Sequence, residues 1–204
     1  MMHNGVMQNG RIVLASQSLA RLAVLRAAGV EVEARPARVD EVAVKAAGLA
    51  EGAEVEDVAF VLAGMKASRV REPGAVVIGA DQILVCGDAW FDKPGTMEEA
   101  RAHLRALRGR EHELVTAVVV HRDGREIWRH LVRPRLRMRA FSDAFLEDYL
   151  AREGEAVLSC VGAYRLEGLG MRLFDRVEGE HTAILGLPML PLLGFLGQAG
   201  VLRE

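Results

Sequence analysis

The chain has 204 residues, which is the size of one large domain or two small lobes. Half of the residues are hydrophobic and 26% are charged, so we expect a sizeable core and little disorder. The formal net charge of -2 argues against a nucleic-acid binder with a strong overall positive field, although a local basic patch stays open. No apolar run reaches the ~18 residues that span a bilayer, and two cysteines cannot build a disulfide framework.

The N-terminal segment bears on location and domain organisation. Its first ten residues lack the basic start and apolar middle of a signal peptide. We therefore expect a cytoplasmic protein without membrane or nucleic-acid partners, in which residues 1–10 are disordered and residues 11–204 form a single domain.

Lysine is rare in this sequence. Lysine and arginine together number 26, but only Lys45, Lys66 and Lys93 are lysines. Arginine thus carries the ordinary surface charge, and each lysine becomes a candidate for a functional ammonium, because an ammonium differs chemically from a guanidinium fork. Composition bias with a few remaining lysines is the alternative.

The first predicted elements are a strand, a turn with two serines, a helix and a strand. Residues 11–15 form an apolar run typical of a buried strand, and residues 30–34 a second one. Leucines and alanines recur at helical spacing over 19–28, and Gly29 suits the end of that helix. Ser16 and Ser18 precede a helix start, where the dipole favours phosphate.

The middle of the chain predicts a helix, a buried strand and a hairpin. A polar loop at 36–41 leads into a helix from about 54 to 71. Residues 75–79 are the clearest buried strand, which we expect to deliver Asp81 and Gln82 at its exit. Residues 83–86 and 89–91 predict a tight hairpin.

The second half of the chain adds helices and long antiparallel strands. Thr96 with Glu99 fits a capping box, and the helix it starts ends at Gly109. The other predicted elements are a hairpin of strands 113–121 and 125–138, a helix from Ser142 to about 152, a glycine-rich stretch at 162–170, a strand at 171–177 and a helix at 188–199. This order predicts a mixed α/β sheet.

Three carboxylates are candidates for metal binding. Asp40 and Glu41 are expected in a loop, and Asp81 at a strand exit, where a side chain is held rigidly. Carboxylates are the ligands that magnesium and manganese prefer, and Mg²⁺ typically takes one or two of them plus substrate phosphates. A solvated loop is the alternative for the acidic pair.

The candidate cations are Lys66, Lys93 and Arg21. Phosphate chains need positive charges, which lysine supplies as a point charge. The alternatives are surface ammonium groups and, for Arg21, an exposed helical arginine. Neither cysteine lies in a CxxC pair or beside a histidine, so a thiol nucleophile is not expected. The whole set fits metal-assisted phosphate chemistry with water as the attacking group.

An ordered series of motifs extends over nearly the whole chain. They are LASQS at 14–18, VDE at 39–41, LAGMKA at 62–67, GADQ at 79–82, DKP at 92–94, LRGREHELVTAV at 107–118, GAYRLEGLG at 162–170 and VEGEHTAILGLP at 177–188. In this order and spacing they resemble the Maf family of nucleoside triphosphate pyrophosphatases.

The resemblance implies a fold, a reaction and a partner. The fold would be a mixed, elongated α/β sheet in two lobes, similar to inosine triphosphate pyrophosphatases, with the active-site cleft between the lobes. The reaction would be hydrolysis of a nucleoside triphosphate to the monophosphate and pyrophosphate, with a divalent cation (Mg²⁺, Mn²⁺ or Co²⁺). The family also implies a homodimer.

The resemblance also implies roles for residues of this chain. Those that would hold phosphate are Ser16, Ser18 and Arg21. Those that would bind metal and activate water are Glu41 and Asp81, with Asp81 as the proton acceptor. Those that would neutralise the triphosphate are Lys66 and Lys93.

One position departs from the family pattern. The first motif usually reads serine, proline, arginine, arginine, whereas Ser18 is followed here by Leu19, Ala20 and Arg21. Losing a phosphate-facing cation is expected to weaken phosphate contacts and catalysis. It leaves open a rival from another class, a non-catalytic nucleotide-binding regulator of septum formation or cell division.

The resemblance places Arg21, Gln82 and Glu167 at the positions near the nucleobase by which the branches of the family differ. Gln82 and Glu167 indicate the branch. They are similar to the branch that hydrolyses 7-methyl-GTP, whereas the uridine and thymidine branch has threonine and glutamine at these places. N7-methylation makes guanine cationic, and its N1–H and N2–H₂ edge offers two donors that a carboxylate accepts. The alternatives are that Glu167 only pairs with a surface arginine, Arg165 or Arg172, and that the substrates are TTP or UTP.

Overall fold

The computed structural model describes residues 10–202, so the disorder expected for residues 1–10 falls, apart from Gly10, outside the described residues. Over this part of the chain, seven α-helices and eight strands form a mixed α/β fold with one open sheet. The predicted fold class is confirmed. None of the described helices combines the length and the apolar character needed to cross a membrane.

The elements in chain order are β1 (Ile12–Leu14), α1 (Leu19–Ala27), β2 (Val32–Ala34), α2 (Glu41–Glu51), α3 (Val55–Arg69), β3 (Val76–Cys86), β4 (Ala89–Phe91), α4 (Met97–Leu107), β5 (Glu111–Arg122), β6 (Arg125–Val132), β7 (Arg135–Met138), α5 (Asp143–Glu153), β8 (Phe174–Glu178), α6 (His181–Ile184) and α7 (Met189–Gln198). Three short 3₁₀ segments lie between α5 and β8: Gly154–Ser159, Val161–Ala163 and Leu169–Leu173. The helices α2 and α6 were not predicted.

The chain divides into two compact units. The first contains the described residues up to Asp81, Thr116–Val132 and those from His181 onward. In it, β1 pairs in parallel with β2 and β3, and the second half of β5 pairs antiparallel with β6. The second contains Gln82–Val115 and Arg133–Glu180.

Alternation along β1 places apolar side chains on both faces of the sheet in the first unit. Ile12 and Leu14 join a buried cluster with residues of α1 and α7, including Leu25 and Leu192. Val13 joins a second cluster with residues such as Ala67 of α3. Because successive side chains of a strand point to opposite faces, a short apolar run covered by helices on both sides is the expected pattern.

Gly79 sets how closely α3 lies against β3. A Cβ atom at this position would overlap the carbonyl oxygen of Ala63 in α3. Glycine therefore permits a close approach of helix and strand backbones. That approach brings Lys66, one turn further along α3, within contact of Asp81 on β3.

The second unit contains antiparallel pairs and short helices. The end of β3 forms the predicted hairpin with β4, and β7 pairs with the start of β5 and with β8. Thr96 and Ser142 cap α4 and α5 through their side-chain oxygens, as predicted. The expectation of one strand over 125–138 was wrong, because β6 ends at Val132 and β7 starts at Arg135, with the intervening Pro134 lacking an N–H for a ladder.

Two further expectations were corrected. Asp81 and Gln82 do not follow a strand exit, because β3 is continuous from Val76 to Cys86 and the polar pair interrupts the apolar run without interrupting the strand. Glu41 does not lie in a loop either. Asp40 is the N-cap of α2 and accepts a hydrogen bond from the backbone of Ala43, so Glu41 is the first residue of a helix.

Candidate active site

Lys66, Asp81 and Glu41 form a charged triad in the first unit. The Nζ atom of Lys66 lies 2.6 Å from Oδ1 of Asp81 and 2.8 Å from Oε1 of Glu41. The side chains of Lys66 and Asp81 are only 7% and 3% exposed, whereas that of Glu41 is 37% exposed. An ion pair this deeply buried is weak evidence for stability, because desolvation of both ions offsets their attraction. A functional reason for the triad is therefore needed.

The second carboxylate oxygen of Asp81, Oδ2, is buried without a hydrogen-bond partner among the described residues. A buried polar atom without a partner costs free energy, so it calls for a ligand or a catalytic role. The atom is suited to accept a proton from water or to coordinate a cation.

The donor set fits a divalent cation that is shared with a phosphate group. Mg²⁺ typically uses one or two carboxylates and completes its shell with water and substrate phosphates. Glu41 and Asp81 are two such carboxylates, joined through one ammonium group. Within residues 10–202, no group of three or more acidic, histidine or cysteine side chains is placed to hold a metal ion. Two carboxylates are the number that Mg²⁺ typically takes from a protein, so this donor set fits such a cation.

The two predicted serines lie in the turn between β1 and α1. Ser18 is the N-cap of α1, and its Oγ accepts a hydrogen bond of 3.3 Å from the backbone N–H of Arg21. The Oγ of Ser16 accepts one of 3.1 Å from the backbone N–H of Ser18. Each hydroxyl retains its own proton as a donor, and the helix N-terminus adds a positive partial charge. The turn can thus bind an anion.

Arg21 is buried inside the first unit. The alternative, in which Arg21 is an exposed helical arginine, is therefore excluded. Its Nε donates to the backbone oxygen of Gly186 at 2.8 Å, and its Nη1 donates to that of Ala80 at 2.9 Å. Burial lowers the pKa of Arg21, while the carboxylates of Asp81 and Glu41 act in the opposite direction. The guanidinium therefore lies within electrostatic reach of the triad.

Lys93, Gln82 and Glu167 belong to the second unit. Lys93 is exposed after β4, and Gln82 is half-buried within β3. Burial raises the pKa of the Cys160 thiol; Glu167 adds to this effect, and Lys93 opposes it. Lys93 and Glu167 thus both act electrostatically on one thiol.

The segment that carries Glu167 is held by Glu153. Glu153 accepts hydrogen bonds from Nη1 of Arg165 at 2.9 Å and from the backbone N–H of Leu169 at 2.7 Å. Gly168 lies against it, since a Cβ there would be 2.7 Å from Oε1 of Glu153. Glu167 contacts Nε of Arg165 only at 3.4 Å. Arg165 is therefore engaged mainly by Glu153, and its pairing with Glu167 is secondary.

Sequence reasoning missed Gly186 and the backbone oxygen of Ala80 as partners of Arg21. Gly186 has φ +95°, and a Cβ there would lie 2.9 Å from Nε of Arg21. A glycine between two leucines in the motif ILGLP was the available signal, because a left-handed backbone beside a closely packed group favours glycine. Backbone acceptors themselves leave no trace in the sequence.

Comparison with known proteins shows the family to which the chain belongs. The family described as Maf-like protein matches residues 11–199, so the chain belongs to the Maf-like family and the predicted resemblance is confirmed.

Its relatives carry more specific names. A protein of Granulibacter bethesdensis named nucleoside triphosphate pyrophosphatase is 54% identical over 92% of this chain and 96% of its own length. One of Rhodospirillum rubrum with the same name is 52% identical over 94% and 96%. A protein of Mesorhizobium japonicum named 7-methyl-GTP pyrophosphatase is 48% identical over 94% of this chain and 98% of its own length.

Proposed function

We propose that this protein hydrolyses a nucleoside triphosphate to the nucleoside monophosphate and pyrophosphate, with 7-methyl-GTP as the preferred substrate. The chain is an enzyme of the nucleoside triphosphate pyrophosphatase class, the class that its relatives at about half identity are named for. The observation that carries the proposed mechanism is the triad of Lys66, Asp81 and Glu41, with an unpartnered buried oxygen on Asp81.

In the proposed reaction a water molecule attacks the α-phosphorus. A bond forms between the water oxygen and this phosphorus, and the bond from the phosphorus to the α,β-bridging oxygen breaks, so pyrophosphate leaves. Oδ2 of Asp81 accepts the proton of the attacking water. The free Oδ2 supports this assignment, since a general base needs a lone pair that no other group occupies.

The other side chains bind and orient the triphosphate. Ser16 and Ser18 donate their hydroxyl protons to phosphate oxygens at the N-terminus of α1. Lys66 and Lys93 offset the charge that develops on the leaving pyrophosphate. Glu41 and Asp81 would hold a divalent cation, which when bound neutralises phosphate charge and lowers the pKa of bound water.

Selectivity for 7-methyl-GTP rests on Glu167, with Gln82 as the second base-recognising residue. The carboxylate of Glu167 is 36% exposed, and among the described residues its ion pair is the 3.4 Å contact with Arg165. It can therefore turn to the N1–H and N2–H₂ edge of the base and offset the charge of the methylated ring. A glutamine would present one donor and one acceptor to that edge, which matches two donors poorly.

The activity is tested with the purified full-length protein and a panel of triphosphates. The panel contains 7-methyl-GTP, GTP, UTP, TTP and 5-methyl-UTP, each with Mg²⁺, Mn²⁺ or Co²⁺. We expect release of pyrophosphate, with the highest kcat/KM for 7-methyl-GTP. Release of orthophosphate alone would contradict the reaction. A preference for TTP or 5-methyl-UTP would contradict the selectivity and leave the reaction standing.

The role of Asp81 is tested by Asp81→Asn, which keeps the size of the side chain and removes the base. We expect kcat to fall by roughly 10²- to 10⁴-fold, the usual contribution of general base catalysis. Asp88→Asn is the matched control, because Asp88 lies in the exposed turn between β3 and β4. Activity near that of the wild type in Asp81→Asn would assign the proton acceptor elsewhere.

The role of Glu167 is tested by Glu167→Gln, with Glu155→Gln as an exposed control in the same unit. We expect the ratio of kcat/KM for 7-methyl-GTP over GTP to fall by roughly 5- to 150-fold. This range is equivalent to about 1–3 kcal/mol, the scale of a hydrogen bond to a charged group. An unchanged ratio would favour the alternative in which Glu167 only pairs with Arg165.

A non-catalytic nucleotide-binding regulator remains the second candidate, favoured by Ala20 in place of the family arginine. Nucleotide binding without turnover of any triphosphate in the panel would support it. A cytoplasmic location and a homodimer complete the proposal. Light scattering on the purified protein tests the dimer, and fractionation of the cells that express it tests the location.

A further inference from the structure

Arg21 uses its Nε and Nη1 atoms for hydrogen bonds within the protein. The Nε and Nη1 atoms donate to two backbone oxygens that lie far apart in the sequence, at Gly186 and Ala80. Nη1 also lies 3.5 Å from Oγ of Ser16. The side chain is buried. A guanidinium engaged in this way joins three segments of the first unit: the serine turn, β3 and the turn after α6.

The two acceptors lie next to parts of the proposed site. Ala80 directly precedes Asp81, and its oxygen also lies 3.5 Å from Nζ of Lys66. The Ala80 oxygen thus contacts two cations, the guanidinium of Arg21 and the ammonium of Lys66. Whatever fixes this peptide group also fixes the start of the Asp81 side chain, because one Cα separates the two.

Gly186 is shaped for the guanidinium. With φ +95° and a built Cβ only 2.9 Å from Nε and 3.2 Å from Nη2 of Arg21, the position accepts no side chain without displacing the arginine. The guanidinium therefore lies directly on the backbone of this turn. The planar guanidinium of arginine can donate to two fixed oxygens at once. The ammonium of lysine is a compact point charge and cannot reproduce this geometry.

We propose that Arg21 is a positioning residue that fixes the backbone next to Asp81 to the turn at Gly186, rather than a ligand of the phosphates. The catalytic part of this proposal rests on the proposed function, in which Asp81 accepts a proton. It follows that α1, with Ala20 before Arg21, offers the triphosphate no arginine in its first turn. The phosphate charge is then met by the serine turn and the lysines.

The test compares Arg21→Lys with Arg26→Lys, an exposed arginine of the same helix, in the full-length protein. The first readout is hydrogen–deuterium exchange of the peptides that contain Ala80 and Gly186. We expect exchange to accelerate by roughly tenfold or more in both peptides of Arg21→Lys, because two charge-assisted hydrogen bonds are lost. Arg26→Lys should exchange like the wild type.

The second readout separates catalysis from binding. We expect kcat for the best substrate of the panel to fall by roughly 10- to 100-fold in Arg21→Lys, the scale of a small misplacement of a catalytic group. The Kd of a non-hydrolysable α,β-imido nucleoside triphosphate, measured by calorimetry, should change by less than about threefold, since substrate contacts are intact.

Two results would overturn the proposal. The first is unchanged exchange at both peptides, and the second is a Kd that weakens in proportion to kcat, as expected for a phosphate ligand. If the wild type turns over no triphosphate, the proposed function fails, but the exchange readout still decides whether Arg21 holds these two segments.

Discussion

Replacing Lys66 with methionine tests the electrostatics of the triad most directly. Methionine fills a similar volume without charge, so Asp81 would remain buried with its main partner removed. Breaking a buried ion pair from one side costs about 3–5 kcal/mol, because a charge is left without compensation. The guanidinium of Arg21 still acts on Asp81, so we expect the lower end, about 3 kcal/mol.

Thermal and urea unfolding of Lys66→Met measure this loss. A loss of about 3 kcal/mol corresponds to a decrease in Tm of about 6–12 °C for a chain of this size. The double variant Lys66→Met/Asp81→Asn removes the orphaned charge, so it should be more stable than the sum of the two single changes predicts. Glu41→Gln, which removes the exposed arm of the triad, should cost less than about 1 kcal/mol.

A loss of less than about 1 kcal/mol in Lys66→Met would contradict this prediction. A double variant no more stable than the sum of its parts would also contradict it, because the orphaned charge would then not be the cause. Either result would mean that water or local rearrangement solvates Asp81 without Lys66.

Two other predictions concern stability. Burial lowers the pKa of His112 from 6.5 to about 4. As the pH falls, the histidine therefore becomes protonated in the unfolded chain before it does in the folded protein. Between pH 6.5 and pH 4, His112 should thus reduce the free energy of unfolding by about 3 kcal/mol. Urea titrations should show a smaller loss over this window in His112→Gln, and an equal loss would contradict the assignment. Gly79→Ala should lower the free energy of unfolding by about 3 kcal/mol or more, because its Cβ would overlap the carbonyl oxygen of Ala63. Lower Tm and urea midpoints would show this loss. Gly64→Ala in α3, with nothing within 4 Å of its Cβ, should gain up to about 1 kcal/mol, and equal effects at both glycines would refute the close-approach argument.

Much of the fold follows from local patterns. The run at 11–15 and the caps at Thr96 and Ser142 predicted their elements because each depends on neighbouring residues alone. The continuity of β3 could not be predicted in this way. Its polar pair, Asp81 and Gln82, is typical of a strand end, and the pairing of β3 with strands that are distant in the sequence is not encoded in that local pattern.

In the candidate site, too, the residue types could be predicted from the sequence, whereas contacts with backbone atoms could not. Residue types and the family resemblance selected Lys66, Asp81 and Glu41, which the structure joins into one triad. The burial of Arg21 depends on oxygen atoms of Ala80 and Gly186, and a backbone oxygen is present at every residue. A sequence can therefore indicate that an arginine matters without indicating what it binds.

The scarcity of lysine makes the protein a convenient target for amine chemistry. Lys45 and Lys66 are buried, whereas Lys93 is exposed. An amine-reactive label applied to the folded protein therefore has one accessible lysine side chain among the three, and it lies at a position proposed to contact the triphosphate. A fluorophore attached there would place an optical reporter at this proposed contact without an engineered cysteine.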